Sequence, residues 1–264
     1  LQENIIIALE RDGRHQPVVV SASTDDSFAD LVEYEQPLER IVALDDPERF
    51  IHIPTSPEKS TIELCTSVRY SLADLGIDVS TGPVVDFRVR AHLRDLPGVG
   101  AVPLLYPAHF RGGGLVWPIP DAKKPNAIER NSKTEKWLYP NGYYCVVRRF
   151  SSKEERRRIV ASVVEPGSLG DAAVVGFENH LNVFHESRQG LPENVARGLA
   201  VFLNSTAVDE QFRRFNGHTQ VNATDLRAMR YPSLKVLGEL GEWARRQGVP
   251  SQTMIDDRLG SLAT

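Results

Sequence analysis

The chain keeps two kinds of hydrophobic spacing apart. Up to residue 185, residues 60–75 apart, the apolar residues fall in short runs broken by Gly, Pro and one Asp-Gly pair. From residue 192 onward they recur every three or four positions. Short runs and strict alternation suit buried strands, whereas a three-to-four spacing paints one face of a helix. Strands first and helices last predict an α+β fold.

The strand-forming part opens with residues 3–10 (ENIIIALE) and 17–23 (PVVVSAS), separated by a turn at Asp12-Gly13. Residues 41–44 and 50–53 are further short strands. Residues 1–55 therefore form a small β-rich unit, expected to complete a sheet supplied elsewhere. In residues 60–75, Ile62, Cys65, Val68, Leu72 and Leu75 predict a helix that Ser60 or Thr61 caps and Gly76 stops. It serves as the bridge, residues 56–78, into a third segment, 79–264. There, residues 84–89, 101–106, 114–117, 142–150, 159–164 and 174–185 are strand regions. Residues 118–140 are polar, basic and without period, and predict a long surface loop. Helices are expected over 192–203, 206–215, 224–229, 232–247 and 251–262.

Charge is distributed as unevenly as hydrophobicity. The net charge of −4 conceals 13 acidic against 5 basic residues in 1–60, and 12 basic against 5 acidic in 101–160. A basic block in a mildly acidic chain implies a local anionic partner, and double-stranded DNA is the obvious one. Aromatic residues, Trp117, Trp137, Tyr143 and Phe150 among them, interleave with the charges. The densest cluster is the stretch RRFSSKEERRR, with Arg148, Arg149, Lys153, Arg156, Arg157 and Arg158. It reads as a capped helical turn or a wide hairpin. Its cations neutralise phosphates and release counterions, and Ser151 and Ser152 add neutral phosphate donors.

Residues 215–231 (FNGHTQVNATDLRAMRY) offer Asn216, His218, Thr219, Gln220 and Asn222 within one short stretch. Asn and Gln present a donor beside an acceptor and pair bidentately with adenine, so this set is suited to reading base edges. Its plain alternative is a polar loop between helices. Asn179 and His180 are further candidates, either for pairing at a strand edge or for polar contact with a partner. Glu178, His180 and His185 do not have the spacing of a metal site on a strand or a helix. The chain has no G-x-x-x-x-G-K, G-x-S-x-G or H-E-x-x-H, and Asp86 and Glu178 do not sit in a D…E-x-K pattern.

Cys65 and Cys145 are far apart and form no C-x-x-C, which fits a reducing, cytoplasmic setting. No apolar run is long enough to cross a bilayer and no signal peptide is visible, so no membrane partner is expected. The first residue is Leu1, which suggests a piece of a longer protein.

In their order, LQENIII, VSTGPVVDFR, YYCVVRRFSSKEERRRIVA and GLAVFLNSTAVDEQFRRFNGHTQVNATDLRAMRYP resemble the C-terminal target-recognition region of gamma-class adenine-N6 DNA methyltransferases of restriction–modification systems. The resemblance runs from Leu1 to about Ser233. It implies that residues 1–55 are trailing strands of a catalytic domain and that residues 79–264 recognise DNA. It also implies that the parent enzyme flips an adenine and methylates it from S-adenosylmethionine. The family's catalytic Asn-Pro-Pro-aromatic motif and glycine-rich cofactor motif are absent from this sequence. The expectation is therefore no catalytic, cofactor or metal residue in this chain, and an upstream catalytic domain as partner. A restriction-endonuclease fragment and a protein-interaction module are the competing readings.

Overall fold

A computed structural model describes residues 6–10, 16–23, 25–42, 51, 67–152, 154–216 and 219–261. The chain forms two compact units, Leu1–Glu58 and Lys59–Thr264.

In the first unit, β1 (Val18–Ala22) and β2 (Val32–Gln36) make an antiparallel hairpin, with Val20 opposite Tyr34 and Ala22 opposite Val32. A one-turn helix, α1 (Leu38–Ile41), follows, and Val42 bridges to Ile51. Two strands alone cover little of their own surface, and Val19 and Val32 stay 60% and 56% exposed. The strand expected over residues 3–10 is not formed at the described residues 6–10. Of the two expected over 41–44 and 50–53, Ile41 ends α1 instead, and the rest lies outside the described residues beyond the Val42–Ile51 bridge.

The second unit contains the strands β3 (Val68–Tyr70), β4 (Asp78–Thr81), β5 (Leu93–Arg94), β6 (Ala101–Leu105), β7 (Phe110–Arg111), β8 (Gly114–Leu115), β9 (Ala127–Glu129), β10 (Leu138–Pro140), β11 (Tyr144–Arg148), β12 (Ala161–Val164), β13 (Val174–Phe177), β14 (Leu181–His185) and β15 (Tyr231–Pro232). Its helices are α2 (Glu193–Leu203), α3 (Thr206–Phe215), α4 (Ala223–Ala228), α5 (Leu234–Gln247) and α6 (Gln252–Gly260). One sheet runs β10-β13-β6-β9-β5, with β13 parallel to β6. A second, antiparallel sheet runs β12-β11-β14-β4.

Alternation along β11 explains the layering. Cys145 and Val147 point into a core shared with the helices, where Leu199, Phe202, Phe212 and Leu237 are buried. Tyr144 and Val146 point the other way, against Tyr139, Val175 and Phe177 of the five-stranded sheet. The four-stranded sheet is therefore the middle layer, apolar on both faces, and β11 reads as a continuous apolar run for that reason. Val84, Val89, Leu104 and Ile128 close the outer face of the five-stranded sheet.

Four sequence expectations need correction. Where described, residues 60–75 are not a helix: Val68–Tyr70 pairs with β15, and Ala73–Leu75 is a single 3₁₀ turn that Gly76 ends at φ +67°. Val68 fits both patterns, spaced helically to Leu72 and alternating with Tyr70, and the distant partner decides. Residues 84–89 keep only a bridge from Val84 to Glu178, because the Asp86 carboxylate takes the Phe87 N–H at 2.6 Å and favours a 3₁₀ turn. Residues 118–140 are not a loop throughout: β9 and β10 bury Ala127, Ile128, Leu138 and Tyr139. Residues 174–185 divide into β13 and β14, which belong to different sheets and meet at a turn, Glu178-Asn179-His180. The five expected helices all form: α3 keeps its expected bounds, α4 is shifted by one residue, and α2, α5 and α6 are one to three residues shorter. Ser205, Ser233 and Ser251 cap α3, α5 and α6, each accepting a backbone N–H.

Candidate nucleic-acid interface

The ends of β6, β11 and β13 converge on one polar cluster. Arg149, just past β11, donates its backbone N–H to the His180 carbonyl at 2.8 Å and accepts from Val221 N–H at 2.7 Å. Its guanidinium reaches Gln220 Oε1 at 3.2 Å and the Asn179 carbonyl at 3.4 Å. Phe150 bridges to Gln220, and its ring lies 4.9 Å from that of His180. One arginine thus gathers Asn179, His180 and Gln220, which are distant in sequence. The Asn179 side chain is half-buried and makes no hydrogen bond with a described residue. Thr219 is exposed.

Beneath this surface lies Glu178, fully buried. Its Oε2 accepts the His180 backbone N–H at 2.9 Å and faces His180 Nδ1 at 2.8 Å. Burial pushes the carboxyl above its ordinary range, opposed by the hydrogen bonds from His180. Asp86 adds negative charge nearby. It is itself held below the usual carboxylate range by Lys124, whose Nζ donates to it at 2.6 Å. Six buried side-chain polar atoms lack a hydrogen bond among the described residues, and four belong to Arg148, Arg149, Glu178 and Tyr106. Each unmade bond costs about 1–3 kcal/mol, so the fold gives up stability around this cluster.

The basic segment is the wide hairpin, β11 to β12, and its cations differ in placement. Arg156 is exposed. Arg148 is partly exposed and paired with Glu155, which also takes the Ser152 N–H at 3.1 Å. Arg157 and Arg158 turn inward, contrary to a purely phosphate-facing cluster. Arg157 donates to Gln252 Oε1 at 2.6 Å and to the Ser205 carbonyl at 2.7 Å. Arg158 is 1% exposed and donates to Ser151 Oγ at 3.0 Å and Asn216 Oδ1 at 3.1 Å. Ser151 and Asn216 are buried with it. Asp209 of α3 ties the hairpin down through the N–H groups of Arg158 and Ile159, at 2.7 and 2.9 Å. Residues 156–158 lie in the loop between β11 and β12, and partners from the helical end of the chain draw two of the three arginines inward.

The polar loop divides in the same way. Asn216 ends α3 and donates to Asp225 Oδ2 at 2.7 Å. Asn222 begins α4, its N–H donating to the same Asp225 oxygen at 2.9 Å as part of a capping box. Both serve the helices on either side. Lys153 and His218 lie outside the described residues. The sequence reading missed Tyr106, Lys124 and the role of Glu178. The available signal was Glu178-x-His180: in a turn, unlike a strand, that spacing brings two side chains into contact.

Among the described residues no group of three or more His, Cys, Asp or Glu side chains is placed to hold a metal, and no helix is long and apolar enough to cross a membrane. A cleft of about 220 Å³ is lined by Glu193, Asn194, Arg197, Gly241, Glu242 and Arg245. It is smaller than the roughly 300–1,000 Å³ of ligand sites and offers no ring for an adenine, so these residues do not fit S-adenosylmethionine.

No protein-family model matches the chain. Curated proteins do. The chain is 58% identical over 264 residues to Type II methyltransferase M.BsuBI of Bacillus subtilis, an alignment covering 99% of this chain and 52% of that protein. It is 44% identical over 259 residues to Type II methyltransferase M.PstI of Providencia stuartii, covering 97% and 51%. The chain spans about half the length of the curated relatives it matches, and over that half it is similar to Type II methyltransferases.

Proposed function

We propose that this chain is the DNA target-recognition part of an S-adenosylmethionine-dependent adenine-N6 methyltransferase of a restriction–modification system. Residues 1–55 are then trailing strands of the catalytic domain, residues 56–78 the bridge, and residues 79–264 the recognition domain. The observation that carries the reading is the junction at Arg149, where cationic, amide and imidazole groups from three segments share one surface. The similarity to half of two Type II methyltransferases supports it. Arg148, Arg149, Ser152 and Arg156 contact phosphates, while Asn179, His180, Thr219 and Gln220 face base edges. Ser151, Arg157, Arg158, Asn216 and Asn222 hold the scaffold.

Cofactor binding and methyl transfer belong to the upstream catalytic partner, in the cytoplasm. The test is direct. Fluorescence anisotropy should show this chain binding short duplex DNA, with affinity falling steeply as salt rises. Calorimetry should show no uptake of S-adenosylmethionine by the chain alone. Methylation should appear when the upstream half is supplied as a second chain. A flat salt titration, or cofactor binding by the chain alone, would sink the proposal.

A further inference from the structure

We propose that Glu178 is the positioning residue of His180. It holds the imidazole with Nδ1–H turned into the protein, leaving Nε2 as the atom that meets a base edge. This rests on the DNA-recognition reading above.

Compared with the other three described histidines of this unit, His180 stands apart: His92 Nδ1 lies 3.3 Å from both Glu129 Oε2 and Asn131 Nδ2, so its carboxylate contact is long and shared. His109 Nδ1 accepts the Tyr106 backbone N–H at 2.9 Å, so its proton sits on Nε2, which faces Asn126 Oδ1 at 2.9 Å. His185 repeats the pattern: Nδ1 accepts Arg188 N–H at 3.0 Å, and Nε2 faces Ser80 Oγ at 2.9 Å. Both rings are buried and satisfied at each nitrogen. At His180 the order is reversed. Nδ1 faces Glu178 Oε2, which already accepts the His180 backbone N–H, so that oxygen acts as an acceptor twice and the shared proton belongs to Nδ1. Oε1 lies 2.6 Å from the same nitrogen without a hydrogen bond of its own. Nε2 has no partner among the described residues, and the side chain is 40% exposed.

The surroundings fix the ring's plane as well as its proton. Phe150 packs against one face at 4.9 Å, and the Arg149 N–H holds the His180 carbonyl. Asp86 and its partner Lys124 are the other charges on this side. A carboxylate behind a histidine sets which nitrogen is presented, as it does for metal-bound imidazoles. The part-exposed His180 lies beside Asn179 and Gln220, which Arg149 and Phe150 bring together. A neutral ring then offers an acceptor to an exocyclic amine of adenine or cytosine in the major groove.

Nitrogen-resolved NMR of the imidazoles in the free chain, at mildly alkaline pH, reads the proton directly. Nδ1 of His180 should carry it in the wild type and in Glu178→Gln, whose amide oxygen still accepts. Glu178→Ala should lose that preference. For binding, the wild-type chain first selects a duplex from a randomised pool, and each variant is then measured on it and on a scrambled duplex. His180→Ala and Glu178→Ala should each lower the specific-to-scrambled ratio about tenfold or more. The double variant should fall no further, and Glu178→Gln should keep the ratio. If Glu178→Ala does not fold, the wild-type NMR, Glu178→Gln and His180→Ala carry the test.

A proton on Nε2 in the wild type, an unchanged ratio in His180→Ala, or a ratio lost in Glu178→Gln overturns the proposal. If the pool yields no enriched duplex, the DNA-recognition reading falls and this role of Glu178 falls with it. If a duplex is enriched but the variants leave its ratio intact, only this proposal falls.

Discussion

Arg149 and Gln220 are joined through side chains at 3.2 Å and through the neighbouring backbone pairing of Phe150 with Gln220, so the basic hairpin and the polar loop form one surface. Charge and geometry at this junction are separable. Arg149→Lys keeps the cation but not the planar fork that reaches both Gln220 and the Asn179 carbonyl. In paired anisotropy titrations, Arg149→Lys should keep the salt dependence of DNA binding and lose preference for the selected duplex. Arg149→Ala should lose the preference and also reduce the log–log salt slope by about one unit.

The run of arginines from 156 to 158 gives opposite expectations for neighbours. Arg156 is exposed, so Arg156→Ala should weaken binding to all duplexes alike and reduce the log–log salt slope by about one unit. Arg158→Ala should instead destabilise the fold by about 3 kcal/mol, because Ser151, Asn216 and the ring of Phe212 lose a buried partner. With Arg157 and Arg158 turned inward, the wild-type slope should be near −3 to −4, from roughly four neutralised phosphates. Thermal melts and salt titrations on the two variants separate these outcomes.

Local signals were legible in the sequence and long-range ones were not. The helices from α2 to α6 follow from their apolar spacing, because that signal acts within a turn or two. Val68 fits a helix with Leu72 and a strand with Tyr70, and only Tyr231–Pro232, more than 150 residues on, decides for the strand. The basic hairpin was visible as charge, but which arginines face inward depends on Asp209 and Asn216, supplied by another element. Asn216 and Asn222 looked like base readers because amide side chains suit that task. The same chemistry suits helix ends, and Asp225 claims both residues. Glu178 and His180 were treated as strand residues. The turn that separates β13 from β14 is what brings them together.

Helix α2 crosses α5 with glycine at two closest points. A Cβ on Gly198 would fall on the Leu237 carbonyl, and one on Gly241 on the Asn194 carbonyl. Backbone cannot yield as a flexible side chain does, so Gly198→Ala and Gly241→Ala should each cost about 2–3 kcal/mol despite the better helix propensity of alanine. Gly167 has open space where its Cβ would stand, and Gly167→Ala should be nearly neutral. Denaturant melts of the three variants test the crossing.

The two satisfied histidines predict an acid-sensitive fold. Burial lowers His109 and His185 below the ordinary histidine value of 6.5. Each has Nδ1 occupied by a backbone N–H, so protonation requires breaking that bond inside the protein. The sign follows from proton counting. As pH falls through 6.5, the unfolded chain takes up a proton at each histidine while the folded chain does not. The unfolded state therefore binds more protons, and stability falls with acidification until the lowered folded values are reached. Between pH 7 and pH 5 each group contributes a slope of up to about 1.4 kcal/mol per pH unit. Urea melts across that range should show the loss in the wild type. His109→Gln should make the loss shallower by about one proton, as should His185→Gln, although each variant starts from a lower stability at pH 7. A wild-type stability that is level from pH 7 to 5 would mean that neither histidine is held neutral.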